Sequence, residues 1–141
     1  MTIQEAIVKC DELKPNQYNH AQKVAWLDEI EKKIWNEVIE KRKKDEIEVE
    51  NENENGEIVV EKQPVLTYNG YSERTPTDTK LLADMYSELY IYFLMSKIDF
   101  YNGETQRYNI SAAQFNQAYQ GFVDGYYRTH PQIGAAAPKN I

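Results

Sequence analysis

Apolar residues recur at helical spacing in four stretches of this chain, and one stretch between them switches to a period of two. Ile3, Ala6, Ile7, Cys10 and Leu13 make the first helical stripe. Thr2, with Glu5 three residues on, reads as the capping box that opens it. Lys14-Pro15-Asn16 closes it, because proline disfavours the helical conformation in the residue before it. The second helix is expected from Asn19, with Gln22 in the capping-box position, to about Lys44. Leu27, Ile30, Ile34 and Val38 mark its buried face, widened by Trp26, Trp35 and Ile39. Its far end, Lys41-Arg42-Lys43-Lys44, puts cations where the helix dipole is negative, worth ~0.3–1 kcal/mol each when exposed. A phosphate or partner contact is the other reading of that run.

From Glu46 the pattern alternates, Glu46-Ile47-Glu48-Val49-Glu50, and Ile58-Val59-Val60 is β-branched. Asn55-Gly56, a dipeptide favoured in tight hairpin turns, lies between them. The segment 45–62 is therefore expected as an inserted acidic β-hairpin with a polar, mobile tip at Asn51 to Asn55, or as a disordered acidic loop. A lone hairpin is marginal in water, so this one must lean on the helices or pair with another chain. Residues 62–80, with Pro64, Gly70 and Pro76, read as an extended connection.

Asp84 is expected to cap a third helix ending near Asn102. Tyr86, Leu89, Tyr90, Phe93 and Lys97 share one face, and Ile91, Leu94, Met95 and Ile98 cover another. A helix apolar nearly all round is surrounded by protein, so part of it is expected to meet a neighbouring subunit. Tyr86, Tyr90, Tyr92, Phe93 and Tyr101 are the candidate contacts. Glu104 to Asn109 reads as a short helical turn after Asn102-Gly103. Ser111 with Gln114 opens a fourth helix, striped by Phe115, Ala118, Tyr119, Phe122 and Tyr126 and ended by His130-Pro131. Within it, Gly121 and Gly125 each cost ~1 kcal/mol relative to alanine, a spacing that lets another backbone approach. Gln132 to Ile141 reads as a flexible tail. The fold expected is mainly α: a single helical domain over 1–131, a bundle of about four helices with the acidic insertion.

Charge sharpens this picture. Of a net −7, the eight acids between Asp45 and Glu61 supply more than the whole, leaving +1 elsewhere. A general basic footprint for nucleic acid is absent. The acids Glu46, Glu48, Glu50, Glu52 and Glu54 fall at every second residue, so a strand would place them on one face. The Asp-rich spacing of a calcium loop is missing.

No catalytic, cofactor or metal chemistry is legible. Cys10, the only cysteine, lies on an apolar stripe and reads as a structural thiol; it allows no intrachain disulfide. His20 and His130 stand far apart, and the six glycines are scattered rather than gathered into a phosphate cradle. The N-terminus lacks the apolar run of a signal peptide, and the longest apolar stretch, Leu89 to Met95, is seven residues against the ~20 of a membrane span. A reducing cytoplasm, or something assembled there, is the expected compartment. Asp99, Glu104, Arg107 and Arg128 lie among aromatics, and Arg107 or Arg128 is expected to meet Asp99 or Glu104 in a network joining the last two helices. A solvated helix edge is the plainer reading.

Asn16-Gln17-Tyr18, Lys23 with Trp26-Leu27, Tyr86-Ser87-Glu88-Leu89-Tyr90 and Ile98-Asp99-Phe100-Tyr101-Asn102-Gly103-Glu104 also carry a likeness. They are followed by Arg107-Tyr108-Asn109, Phe115-Asn116, Tyr119 and Tyr127-Arg128-Thr129-His130. In this order they resemble small virion proteins of tailed phages and prophages of Gram-positive bacteria, of the head–tail connector (adaptor) type. The likeness covers roughly 1–44 and 80–131, not the acidic segment or the tail, and Met85 stands where such proteins often have proline. It implies a helical subunit of a ring, commonly of twelve copies, docked beneath the portal protein. Such a ring extends the DNA channel, carries the next neck or tail component and has no enzymatic role. The virion neck, assembled in the host cytoplasm, is the location it implies. The alternative from the residues alone is a cytoplasmic regulatory module, antirepressor- or antitoxin-like, whose acidic segment mimics nucleic acid.

Overall fold

Helix α1 (Ile3–Leu13) begins as its sequence dictates: the Glu5 amide donates to Thr2 Oγ1 at 3.1 Å. Ile3, Ala6, Ile7 and Cys10 are buried along one face, but Leu13 is left exposed, since the chain leaves the helix there to turn at Pro15. The free amides of the first turn find partners in a later segment. Ile3 donates to the Thr79 carbonyl and Gln4 to that of Thr77, both at 3.0 Å. The computed structural model describes residues 1–42 and 45–132.

Helix α2 (His20–Ile34) is capped by Asn19, whose side chain accepts from Gln22 N at 2.9 Å. It was expected to run to Lys44, yet it passes into a single π-helical turn, Trp35–Ile39, and stops. Lys43 and Lys44 lie outside the described residues. The one-residue insertion rotates the stripe so that Val38 and Ile39 are both buried. A π turn also disturbs the carbonyl ladder, and the Glu37 carbonyl is taken by the Tyr127 hydroxyl at 3.1 Å. Lys41 and Arg42 therefore follow the helix rather than form its last turn. Arg42 instead lies over the Tyr127 ring, 3.7 Å from its centroid.

Strands β1 (Glu46–Glu52) and β2 (Ile58–Pro64) form a two-stranded antiparallel sheet, so the hairpin reading holds. Glu46 pairs with Pro64 and Glu52 with Ile58, which puts Asn51 and Glu52 in the strand rather than in the tip. Gly56 N donates to Asn53 O at 3.0 Å and Gly56 has φ +77°, the left-handed residue of a three-residue loop. Asn53 Oδ1 accepts from the amides of Asn55 and Glu57, at 3.0 and 2.8 Å, so the turn is internally bonded.

The connection expected over 62–80 is extended only in part: Lys62 to Pro64 belong to β2, and two turns follow the stretch from Val65 to Tyr71, closed by Thr75 N to Ser72 O at 3.0 Å and Thr79 N to Pro76 O at 3.1 Å. It crosses the bundle as a strap that lays Leu66, Tyr68 and Tyr71 on the core. A 3₁₀ turn, Asp84–Tyr86, precedes α3 (Glu88–Tyr101). Asp84 does not cap the helix; its carboxylate meets the Met1 amino group. Gly103, at φ +72°, reverses the chain into α4 (Thr105–Thr129). The short turn expected at 104–109 and the helix expected from Ser111 are one continuous helix. Ser111 sits in its interior because its hydroxyl binds back to the Arg107 carbonyl at 3.1 Å and across to Asp99.

Helices α3 and α4 run antiparallel, joined by ring contacts such as Phe93 to Phe115 at 5.1 Å and Tyr86 to Phe122 at 5.5 Å between centroids. The two glycines of α4 differ. A Cβ on Gly125 would stand 2.0 Å from the Tyr86 hydroxyl, whereas one on Gly121 would meet nothing within 4 Å. Gly125→Ala is therefore expected to destabilise by ~1–3 kcal/mol through overpacking. Gly121→Ala is expected to stabilise by up to ~1 kcal/mol through helix propensity alone. Urea unfolding of the two variants checks this, and equal shifts would contradict the Tyr86 contact.

Candidate interaction surface

The hairpin stands away from the bundle. Every residue of both strands except Val49 is exposed, and among the described residues no helix packs along either strand. The register puts Glu46, Glu48, Glu50 and Glu52 on one face with Ile58, Val60 and Lys62, and puts Ile47 and Val49 on the other with Val59 and Glu61. Glu54 lies in the turn, so four carboxylates rather than five share the strand face. Both faces carry aliphatic groups in solvent, Ile58 being 71% exposed on the first and Ile47 53% on the second.

Its base is held to the end of α4. Val65 N donates to the Asp45 carbonyl at 2.9 Å, Arg42 pairs with Gln132 in a single bridge, and His130 Nε2 lies 2.9 Å from Asp45 Oδ2. The His130 ring stacks on Tyr126, with centroids 3.8 Å apart. Burial, then the Asp45 carboxylate, pushes the Tyr126 phenol up to about 12. Among the described residues the sheet is thus anchored at one end and free along its length.

A second surface lies at the α3–α4 corner. Tyr101 is exposed and stacks on Trp26 at 5.7 Å, and Phe100, also exposed, meets Tyr101 at 5.2 Å and Tyr108 at 5.6 Å. The rest of the candidate contact set is less available. Tyr90 is fully buried, with its hydroxyl on the Glu31 carboxylate, so it is a core residue and not a contact. Tyr86, Tyr92 and Phe93 are half-buried against the chain's own core. The bundle covers α3 more completely than its all-round apolarity led us to expect, because α1, α2 and α4 all pack on it. Its apolar exposure is confined to the ends: Met85 just before it, Phe100 and Tyr101 at its finish.

The expected network is also redrawn. Asp99 is fully buried and joins Lys14 Nζ and Ser111 Oγ, the latter at 2.9 Å; neither arginine reaches it. Arg107, exposed, meets among the described residues its helix neighbour Glu104, at 3.3 Å. Arg128 is exposed on α4, and no ion pair joins it to either acid.

Sequence reasoning missed the most heavily bonded acid. Glu31 is fully buried; Oε2 accepts from Tyr71 Oη at 2.8 Å and Leu82 N at 2.9 Å, and Oε1 accepts from Tyr90 Oη. Burial raises its carboxyl above the usual range, and the bonds from Tyr90, Leu82 and Tyr71 pull it part of the way back. The signal was there: position 31 falls inside the stripe of Leu27, Ile30 and Ile34. Asp28, one turn earlier, accepts from Tyr71 N at 2.8 Å and from the Tyr68 hydroxyl, so two α2 acids hold the strap.

Burial raises the Cys10 thiol to about 12, which keeps it protonated and unreactive at neutral pH. Among the described residues no group of three or more His, Cys, Asp and Glu is placed to hold a metal ion. No helix among them is long and apolar enough to cross a membrane. Comparison with protein-family models, curated proteins and solved structures gives no match to this chain.

Proposed function

We propose that this chain is a structural subunit of a phage neck, a head–tail connector that joins copies of itself into a ring beneath the portal and docks the next neck or tail component. It acts by contact alone and carries out no reaction. The observation that carries the reading is the hairpin, a pair of seven-residue strands held out from a well-covered bundle. A two-stranded sheet with both faces wet is marginal by itself, so its natural state is one in which another surface meets it. The exposed corner of Phe100 and Tyr101 gives the bundle a separate patch for a neighbouring subunit. The acidic hairpin suits a channel through which DNA must slide without sticking, because it repels phosphates.

The test is electron microscopy of the chain mixed with the portal protein encoded beside it, where rings stacked on the portal are expected. A chain that stays monomeric alone and with the portal overturns the proposal. Asp45 and Val65 already face each other across the base, so residues 46–64 can be replaced by a short Gly-Ser turn. That deletion is expected to leave the thermal unfolding midpoint within a few degrees while abolishing head–tail joining. Normal joining would show that the hairpin has no part in assembly.

The row of carboxylates on β1, one every ~6.7 Å, favours a second reading, an acidic mimic of nucleic acid in a regulatory protein. Genome position separates the two: capsid and portal genes alongside favour the first, a repressor or toxin gene the second.

A further inference from the structure

We propose that the free edge of β1 is a docking strand for an extended basic segment of a different polypeptide, which adds to the hairpin as a third strand. The parity of the ladder decides which groups are on offer. Val65 bonds to Asp45, and Asn53 bonds to Glu57 at 2.8 Å, so the bonded pairs are the odd-numbered ones. Bonded and non-bonded pairs alternate along an antiparallel ladder. The even-numbered residues therefore turn their N–H and C=O groups outward. On β1 these are Glu46, Glu48, Glu50 and Glu52, every one a glutamate.

A strand laid along this edge would find a carboxylate beside every backbone group it bonds. Like charges directly opposite destabilise a pair and opposite charges stabilise it. The edge thus rejects acidic strands and favours one with lysine or arginine at every second residue. The residues between them would lie on the other face, beside Ile47 and Val49, and there apolar side chains fit. The complementary pattern is basic–apolar–basic–apolar–basic, the counterpart of Glu46-Ile47-Glu48-Val49-Glu50. A second copy's hairpin is a poor occupant: residues 45–64 hold eight carboxylates against Lys62 alone, a net −7 on each side of the contact. The opposite edge offers Ile58, Val60 and Lys62, and Pro64, lacking an N–H, ends it. It lacks the charge that selects a partner.

The inference stands apart from the connector reading, because a chain that never forms rings can still pass its test. The probe is a short peptide alternating lysine and valine, with a glutamate–valine peptide as control. Amide exchange is followed on the full-length protein. The lysine peptide is expected to slow exchange at Glu46, Glu48, Glu50 and Glu52 while leaving Ile47, Val49 and Asn51, already bonded within the hairpin, unchanged; the acidic peptide is expected to slow none. Glu48→Pro removes one outward N–H without touching the internal ladder and is expected to weaken binding at least tenfold. Glu48→Gln with Glu50→Gln is expected to weaken it less and to flatten its salt dependence. Slowing at Ile58, Val60 and Lys62 instead would overturn the choice of edge. Undiminished binding by Glu48→Pro would reduce the attraction to side-chain charge alone, and equal slowing by both peptides, or by raising protein concentration, would remove the selectivity. Each of these outcomes sinks the proposal.

Discussion

Replacing Glu31 by alanine is expected to lower the folding stability by about 3–5 kcal/mol, a loss large enough to threaten a domain of ordinary stability. Three donors would be stranded at once: the hydroxyls of Tyr71 and Tyr90 and the amide of Leu82. Each buried and unsatisfied donor costs about 1–3 kcal/mol, offset in part by no longer burying a carboxylate. The loss also spreads along the chain. Tyr90 Oη accepts from Ala83 N at 2.8 Å, so the same cluster fixes the end of the strap and the entry to α3. Glu31→Gln keeps the volume and one acceptor and is expected to cost roughly half as much. Urea unfolding gives both numbers. An alanine variant as stable as the parent would mean that the strap does not depend on this carboxylate.

The same residue sets a pH dependence. Its carboxyl is raised in the folded state, chiefly by burial, above its unfolded value. The folded chain therefore binds more protons than the unfolded chain between the two values, and stability falls as pH rises through that window. The contribution is fully present below the unfolded value and lost above the folded one. The difference in stability between parent and Glu31→Gln is thus expected to shrink, or reverse sign, as pH rises through the folded value. A difference that stays constant across mildly acidic pH contradicts the raised carboxyl.

Local chemistry made most of the fold legible before any coordinates. Thr2 and Asn19 cap their helices as their spacing to Glu5 and Gln22 required, and the alternation after Glu46 became a strand. What escaped was tertiary. Ser111 has the local signature of a cap, but Asp99 across the helix pair supplies a partner that only the fold creates, and α4 runs on past it. The π turn at Trp35–Ile39 was not anticipated, since the stripe of Ile34, Val38 and Ile39 reads equally well as unbroken α-helix. At the interaction surface the glutamates were readable one by one. Which of them face outward with their backbone groups was not, since that depends on the pairing of 45 with 65 and 53 with 57. Tyr90 was misread for a related reason: an aromatic on a greasy helix gives no hint that a carboxylate waits inside for its hydroxyl.

Lys14 and Asp99 provide the second large effect. Lys14 ends α1, Asp99 is fully buried near the end of α3, and Ser111 brings in α4, so one carboxylate ties three helices. Lys14→Met is expected to cost about 3 kcal/mol or more, because it leaves a charge in the core with only the Ser111 hydroxyl for company. Asp99→Ala is expected to cost less, since Lys14 is partly exposed and swings out to water, and Ser111 keeps its bond to the Arg107 carbonyl. Once the acid is gone the lysine has little left to do. The double variant is therefore expected to be about 1–3 kcal/mol better than the sum of the single losses. Arg107→Ala combined with Asp99→Ala, by contrast, should be additive within ~0.5 kcal/mol, since Arg107 is itself exposed and pairs with the half-buried Glu104 rather than with Asp99. The two cycles, measured by urea unfolding, discriminate sharply. Coupling through Arg107 with none through Lys14 would restore a salt bridge between α3 and α4 and remove the link from α1 on which this packing depends.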